Sequence, residues 1–263
     1  MVDAADAIDR ARAAVTERAE LPGMSLMEHL DELRRRIVHA AAYLAVGFVV
    51  AWIFRERLLD FLQAPLMRIG KTLAFTHPMD PLNLYLQVAL LGGAIVASPF
   101  ILYQVWLFIA PGLYQKEKRF VIPFMAATVG LFLLGAGFGY YYVLPGAMQI
   151  LIVQFGHNFT PVVTIEDYSH FFLSIILGLG ISFELPILIF FLAMFGVVSP
   201  KFLWKNVRYA ILAVFIIAAV ICPSPDPWTM CIYAIPMLAL YLVGIAVAWW
   251  VHPSRRKAKE AAA

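Results

Sequence analysis

Apolar runs alternate with short polar breaks along nearly the whole chain. Six of the runs approach or exceed the roughly 20 residues a helix needs to cross a hydrocarbon core. They cover about 37–54, 82–110, 120–144, 168–195, 208–222 and 229–251. The predicted fold class is all-α, a polytopic membrane protein with six transmembrane helices. Ahead of the first run, Leu26, Leu30, Leu33 and Ile37 recur at helical spacing, while Glu28, Asp31, Glu32 and Arg34 to Arg36 take the other side. This pattern predicts an amphipathic helix leading into the first span, with Ser25 and Glu28 spaced as its capping box. The first interspan loop opens with Leu58, Phe61, Leu62 and Leu66 on one side, an interfacial pattern. The third loop is expected to carry a further apolar piece, AMQILIVQF.

Polar punctuation falls between the runs. Asp80-Pro81, Ser199-Pro200 and Asp226-Pro227 each put a capping side chain before a proline at the first helical position. Thr164 and Asp167 read as a capping box for the fourth span. The second run is about 29 residues, roughly 43 Å as helix, with Pro99 inside it. It is expected to tilt, kink or project from the membrane. The fifth has 14 uninterrupted apolar residues, Tyr209 to Cys222, or about 21 Å. That is short of a hydrocarbon core of about 30 Å, so local thinning is expected beside it.

Composition agrees with the bilayer as solvent: 62% of the 263 residues are hydrophobic, 14% are charged, and mean hydropathy is +0.81. Basic residues then set orientation. The stretch before the first span, the second and fourth loops and the tail hold 6, 3, 3 and 4 of the 20 Lys and Arg, against 4 in the first loop. Both termini are therefore expected on the cytoplasmic side, and the net charge of +3 is a topology signal rather than a sign of nucleic-acid binding. No run reads as a cleavable signal sequence.

Motifs for covalent chemistry are missing. The chain contains no G-x-x-x-x-G-K-[ST], H-E-x-x-H or G-x-S-x-G. Its six histidines, at 29, 39, 77, 157, 170 and 252, show no metal spacing. No enzyme activity, cofactor or metal is expected. Cys222 and Cys231 flank the last turn, where they could pair in an oxidising compartment or pack as buried apolar side chains. Gly135 and Gly139 form a G-x-x-x-G, suited to close helix packing but common.

One charge stands alone in an apolar run. Glu184 sits in ILGLGISFELPILIFFLAMF, residues 176–195, where an acid costs roughly 2.5–3.5 kcal/mol on insertion scales. No central Lys or Arg in another span could neutralise it, so it is expected there as the neutral acid, both donating and accepting hydrogen bonds. Pro186 removes a backbone donor and should leave a polar notch near Ser182. Glu184 would then bond within the notch, or to Gln87 or Ser98 of the second span, or receive a polar residue from another protein. A secondary transporter of a small solute or ion would also use a mid-membrane acid. Such proteins show paired broken helices or repeats, and no internal repeat is visible here.

Four segments in order carry a family resemblance: HLDELRRRI before the first span, SPFILYQVWLFIAPGLYQKEKRF across the second span and loop, GISFELP in the fourth, and PSPDP between the last two. From about residue 24 onward the chain resembles the TatC family, six-span receptor subunits of the twin-arginine protein translocase. The resemblance implies a receptor on the cytoplasmic face that binds paired-arginine signal peptides and helps export folded proteins, driven by the proton-motive force. It implies as partners the single-span TatA and TatB subunits, with further copies of the chain itself. It places Glu117 as the principal acceptor of the arginines, Glu32 as a second, and Phe108 as an aromatic seat. From the residues alone, the simpler readings come first: Glu117 a solvated loop charge beside Lys116 and Lys118, Glu32 an i,i+4 partner of Arg36, and Phe108 a helix-end aromatic; the resemblance reverses that order for Glu117 and Glu32. The resemblance favours Glu184 as the partner site, and it singles out Asp226 and Pro65. Capping accounts for Asp226 completely, and Pro65 is expected to shape the first outer loop.

The expected organisation is an N-terminal extension over 1–23, a six-helix transmembrane domain over 24–252 and a basic tail over 253–263. Five acids in the extension (Asp3, Asp6, Asp9, Glu17 and Glu20) are unlike a transit peptide. The expected location is a prokaryotic cytoplasmic membrane.

Overall fold

The computed structural model describes residues 26–109, 121–194, 196–221 and 226–251. Ser25, Glu117 and Cys222 lie outside the described residues, as do the N-terminal extension and the basic tail.

The amphipathic start and the first span form one helix, α1 (Leu26–Ile53), without a break. After Phe54 the chain enters α2 (Arg55–Arg68), the predicted interfacial helix. A two-residue strand, β1 (Leu73–Ala74), leads to α3 (Asp80–Ile109), 30 residues long and uninterrupted at Pro99. The third crossing departs from expectation. α4 (Val121–Phe138) continues through a π-helical turn (Gly139–Val143), α5 (Leu144–Met148) and a second π turn (Gln149–Gln154). AMQILIVQF is therefore mostly helix rather than loop. Pro145 has no N–H for the carbonyl one turn back, and the chain widens instead of stopping: Leu144 N–H donates to the Gly139 carbonyl, five residues behind.

β2 (Val163–Thr164) pairs in parallel with β1, Leu73 with Val163 and Ala74 with Thr164. The fourth crossing is two helices, α6 (Ile165–Ser182) and α7 (Leu185–Met194), parted at Phe183 and Glu184. A short α8 (Pro200–Lys205) precedes α9 (Val207–Ile221), and α10 (Pro227–Val251) ends the described chain. Among the described residues five helical rods are long and apolar enough to span a membrane. The sixth, α9, has 15 residues, or about 22 Å.

Contacts define two ends of the bundle. At one, His29 meets Phe108, Trp106 meets Phe124 and Phe191, and Tyr241 bonds the Leu203 carbonyl. At the other, α2 and the start of α6 pack on the π turn of the third crossing. There the Tyr140 hydroxyl donates to the Phe61 carbonyl at 2.9 Å and Tyr168 donates to that of Leu62 at 2.7 Å. Pro65 explains the first of these bonds. Lying inside α2 without an N–H, it leaves the Phe61 carbonyl free of its helical donor. Leu62 and Leu66 are buried in the core with Leu144, Phe172, Ile175, Leu179 and Tyr233.

Backbone contact ties the rods together. A Cβ on Gly47 would stand 2.5 Å from the Gly93 carbonyl oxygen, and one on Gly135 2.6 Å from that of Leu179. These are the close approaches that small residues permit between helices in lipid. Thr164, Ser199 and Asp226 cap as expected, accepting from Asp167 N, Phe202 N and Thr229 N at 3.1, 3.1 and 2.7 Å. Asp80 does not. Its carboxylate turns back to the N–H groups of Thr76 and His77 and holds the turn before α3 rather than the first amides of the helix.

Candidate functional site

The start of α1 and the end of α3 build a polar cluster in antiparallel contact. On α1 the positions 29, 32 and 36 share one face, and on α3 so do 104 and 108, by the 3.6-residue period. His29 stacks on Phe108 with ring centroids 4.6 Å apart. One turn further in, Glu32 Oε1 accepts from Arg36 Nε at 2.7 Å, and Arg36 Nη2 also contacts the same oxygen. Arg36 Nη1 donates to Gln104 Oε1 at 3.1 Å. The Glu32 side chain is only 13% exposed, whereas Arg35, 4.0 Å from its second oxygen, is 68% exposed. Glu32 and Arg36 thus do not form the wet side of the amphipathic helix. They turn inward against α3, while Leu30 and Ile37 face outward.

Buried anchors keep the receiving helix in place. Gln104 is buried, and Trp106 Nε1 donates to Thr128 Oγ1 at 3.2 Å while its ring meets the edge of Phe191. The cluster can hold a guanidinium. A carboxylate accepting two guanidinium N–H groups is a charge-assisted contact specific to arginine.

Of the residues singled out from the sequence, the fold brings Glu32 and Phe108 together. Gln104 and His29 were missed, although their spacing from Phe108 and Glu32 carried the signal. Glu117 lies outside the described residues, and Glu184, Pro65 and Asp226 lie elsewhere. Glu184 sits at the break between α6 and α7, and its Oε1 is sealed from solvent without a hydrogen-bond partner among the described residues. Neither Gln87 nor Ser98 bonds it: the Ser98 hydroxyl donates to the Ile95 carbonyl, and Gln87 Oε1 also has no partner. The helix does break where Pro186 predicts, between Ser182 and Leu185, and the Ser182 hydroxyl donates back along its own helix to the Gly178 carbonyl at 2.6 Å. Pro65 and Asp226 lie at the end opposite Glu32, the first in the α2 clamp and the second as a cap.

Comparison with known proteins gives this geometry its setting. The sequence profile described as Sec-independent protein translocase protein (TatC) matches residues 28–236. The chain belongs to the TatC family. It is 51% identical to the Sec-independent protein translocase protein TatC of Koribacter versatilis (strain Ellin345), over 97% of this chain and 96% of that one. Identity is 42% to the TatC of Desulforapulum autotrophicum, over 83% and 82% of the two chains. A crystal structure described as the twin arginine translocase receptor TatC superposes with a TM-score of 0.78 at 36% identity, covering 85% of this chain and 99% of that one. The chain is thus a membrane-spanning component of a TatC protein translocase. The small-solute transporter reading is set aside.

Proposed function

We propose that this TatC protein is the receptor for paired-arginine signal peptides, binding them at the end of the bundle where α1 begins and α3 ends. Both termini and this binding surface face the cytoplasm, in the inner membrane of a prokaryote, in keeping with the bias of Lys and Arg toward those segments. The observation that carries the reading is the half-buried Glu32 carboxylate, which already accepts a guanidinium beside the His29–Phe108 stack. An incoming arginine would compete with Arg36 for Glu32, its neighbour would pair with Glu117, and Phe108 would seat apolar residues of the peptide. The protein acts by binding rather than by covalent catalysis.

Glu184 serves a second contact, with a polar residue from the single span of a TatA or TatB subunit. Its carboxyl group has an oxygen without a hydrogen-bond partner among the described residues, and a shift of the side chain at the break in the helix would bring that oxygen to the partner. Further copies of the chain complete the receptor complex.

The test is photo-crosslinking of a twin-arginine signal peptide and its Lys-Lys counterpart to membranes carrying the wild type or Glu117→Arg. Wild type is expected to capture the first peptide and not the second. Glu117→Arg is expected to insert normally and capture neither. Undiminished crosslinking to Glu117→Arg would remove Glu117 from the site.

A further inference from the structure

A second group of polar side chains forms at the opposite end of the bundle, where α3 and α6 begin. His77 and Asp80 lie three residues apart in the turn that opens α3, and Glu166 stands in the first turn of α6. One ligand atom from each lies within 4.8 Å of the others. Asp80 is 7% exposed, and its two oxygens divide their work. Oδ2 accepts from the N–H groups of Thr76 and His77 at 2.9 and 2.8 Å and from the Thr76 hydroxyl at 3.2 Å. Oδ1 stands 3.8 Å from His77 Nδ1, beyond hydrogen-bond reach. His77 Nδ1 is itself 3.0 Å from Thr76 Oγ1. Two of the three, Asp80 and Glu166, line a cavity of about 160 Å³ together with Asn83, Gln87, Ser169 and His170. Gln87 Oε1, in that lining, is sealed from solvent and has no hydrogen-bond partner among the described residues.

We infer that this cluster binds one divalent transition-metal ion of the zinc class, held by His77, Asp80 and Glu166. An imidazole nitrogen with two carboxylate oxygens suits zinc and its neighbours, whereas calcium and magnesium take oxygen ligands. Zinc bonds of about 2.0–2.2 Å hold ligand atoms about 3.4 Å apart. Closing the cluster from a spread of up to 4.8 Å takes at most about 1.4 Å, which the exposed side chains of His77 and Glu166 supply by torsion. Two carboxylates this close repel, and a dication between them reverses that sign. Gln87, two turns further along α3, lines the adjoining cavity with an oxygen that has no hydrogen-bond partner among the described residues, so the space beside the carboxylates is polar on its inner side as well. The ion ties the start of α3 to the start of α6. The β1–β2 ladder joins the same two loops through only two residue pairs.

The experiment uses the full chain in nanodiscs with any affinity tag removed, titrated with Zn²⁺ against a fluorescent chelator. Wild type is expected to bind one equivalent and to melt at a higher temperature when loaded. His77→Ala and Glu166→Gln, both at exposed positions, are each expected to bind about tenfold more weakly or worse and to lose the thermal shift, since even outer partners of a metal site are worth that much. His157→Ala, at an exposed histidine outside the cluster, is expected to behave as wild type. X-ray absorption of the zinc-loaded protein is expected to show imidazole nitrogen and carboxylate oxygen. Absence of saturable binding, variants indistinguishable from wild type, or a sulfur ligand would each overturn the assignment.

Discussion

Glu32 and Glu184 are carboxylates withdrawn from water in the same bundle, and their surroundings differ completely. Glu32 sits at a helix–helix contact near one end, its oxygen taken up by Arg36, which in turn is held by Gln104. Glu184 sits where one crossing breaks in two, with an oxygen that nothing in the described chain engages. A carboxylate with an internal guanidinium is already satisfied, so a ligand must displace that partner, and binding becomes an exchange of one arginine for another. A sealed acid with an unused oxygen carries a standing cost, because buried polar groups without partners are destabilising by about 1–3 kcal/mol. A partner that supplies the missing hydrogen bond recovers that cost. The first arrangement favours reversible recognition, the second lasting association.

The largest effect is expected at Glu184. Glu184→Ala should abolish export of a folded reporter bearing a twin-arginine signal and lower co-purification with the single-span subunits, because nothing remains to complete a hydrogen bond. Glu184→Gln keeps a donor and an acceptor and should retain most of the export. Peptide crosslinking at the other end should survive both changes. If Glu184→Ala instead lowers the melting temperature of the isolated subunit while partners still co-purify, the acid is a staple within the bundle and the contrast with Glu32 disappears.

The exchange at Glu32 predicts two changes of opposite sign. Glu32→Gln removes the charge that an arginine seeks. With charge-assisted bonds worth about 1.5–3 kcal/mol, peptide affinity should fall about tenfold or more. Arg36→Ala removes the internal competitor and should strengthen peptide capture, at some cost in stability because Glu32 then stands half-buried and unpaired. Peptide affinity measured for both variants decides the matter. A fall for Arg36→Ala as large as that for Glu32→Gln would mean that the pair acts as a unit and that no exchange occurs.

How much of this was legible in the sequence depends on the distance over which each feature is built. The spans, a helix after the first span and three of the four predicted caps among the described residues rest on short-range spacing, and the described structure bears them out. The third crossing ran longer than predicted because Pro145 reads locally as a stop. In the chain it is absorbed by a wider turn in which Leu144 reaches back to Gly139. Glu32 was visible as a candidate, but its inward orientation was not. The amphipathic stripe of α1 marks an apolar face without saying whether lipid or another helix will cover the opposite one. The cluster of His77, Asp80 and Glu166 was invisible. Its histidine has no metal spacing along the chain, and only the approach of the α3 and α6 starts makes neighbours of residues so far apart in sequence.

Asp226 supplies the smallest expected effect and the sharpest control on the comparison. Like Glu32 it accepts a strong hydrogen bond, here from Thr229 N at 2.7 Å. The donor is the backbone of the helix that it begins, so no arginine and no partner subunit is required. A capping carboxylate replaced by alanine costs about 1 kcal/mol, whereas asparagine, a comparably good cap, should cost almost nothing. Asp226→Ala is therefore expected to lower the melting temperature by a few degrees, Asp226→Asn to leave it unchanged, and both to keep peptide crosslinking at wild-type level. The comparison of melting temperature with export for this pair is diagnostic. If Asp226→Asn melts as wild type yet fails in export, the acid's charge has a role that capping does not supply. Asp226 would then join Glu32 and Glu184 among carboxylates that act on another molecule rather than on their own helix.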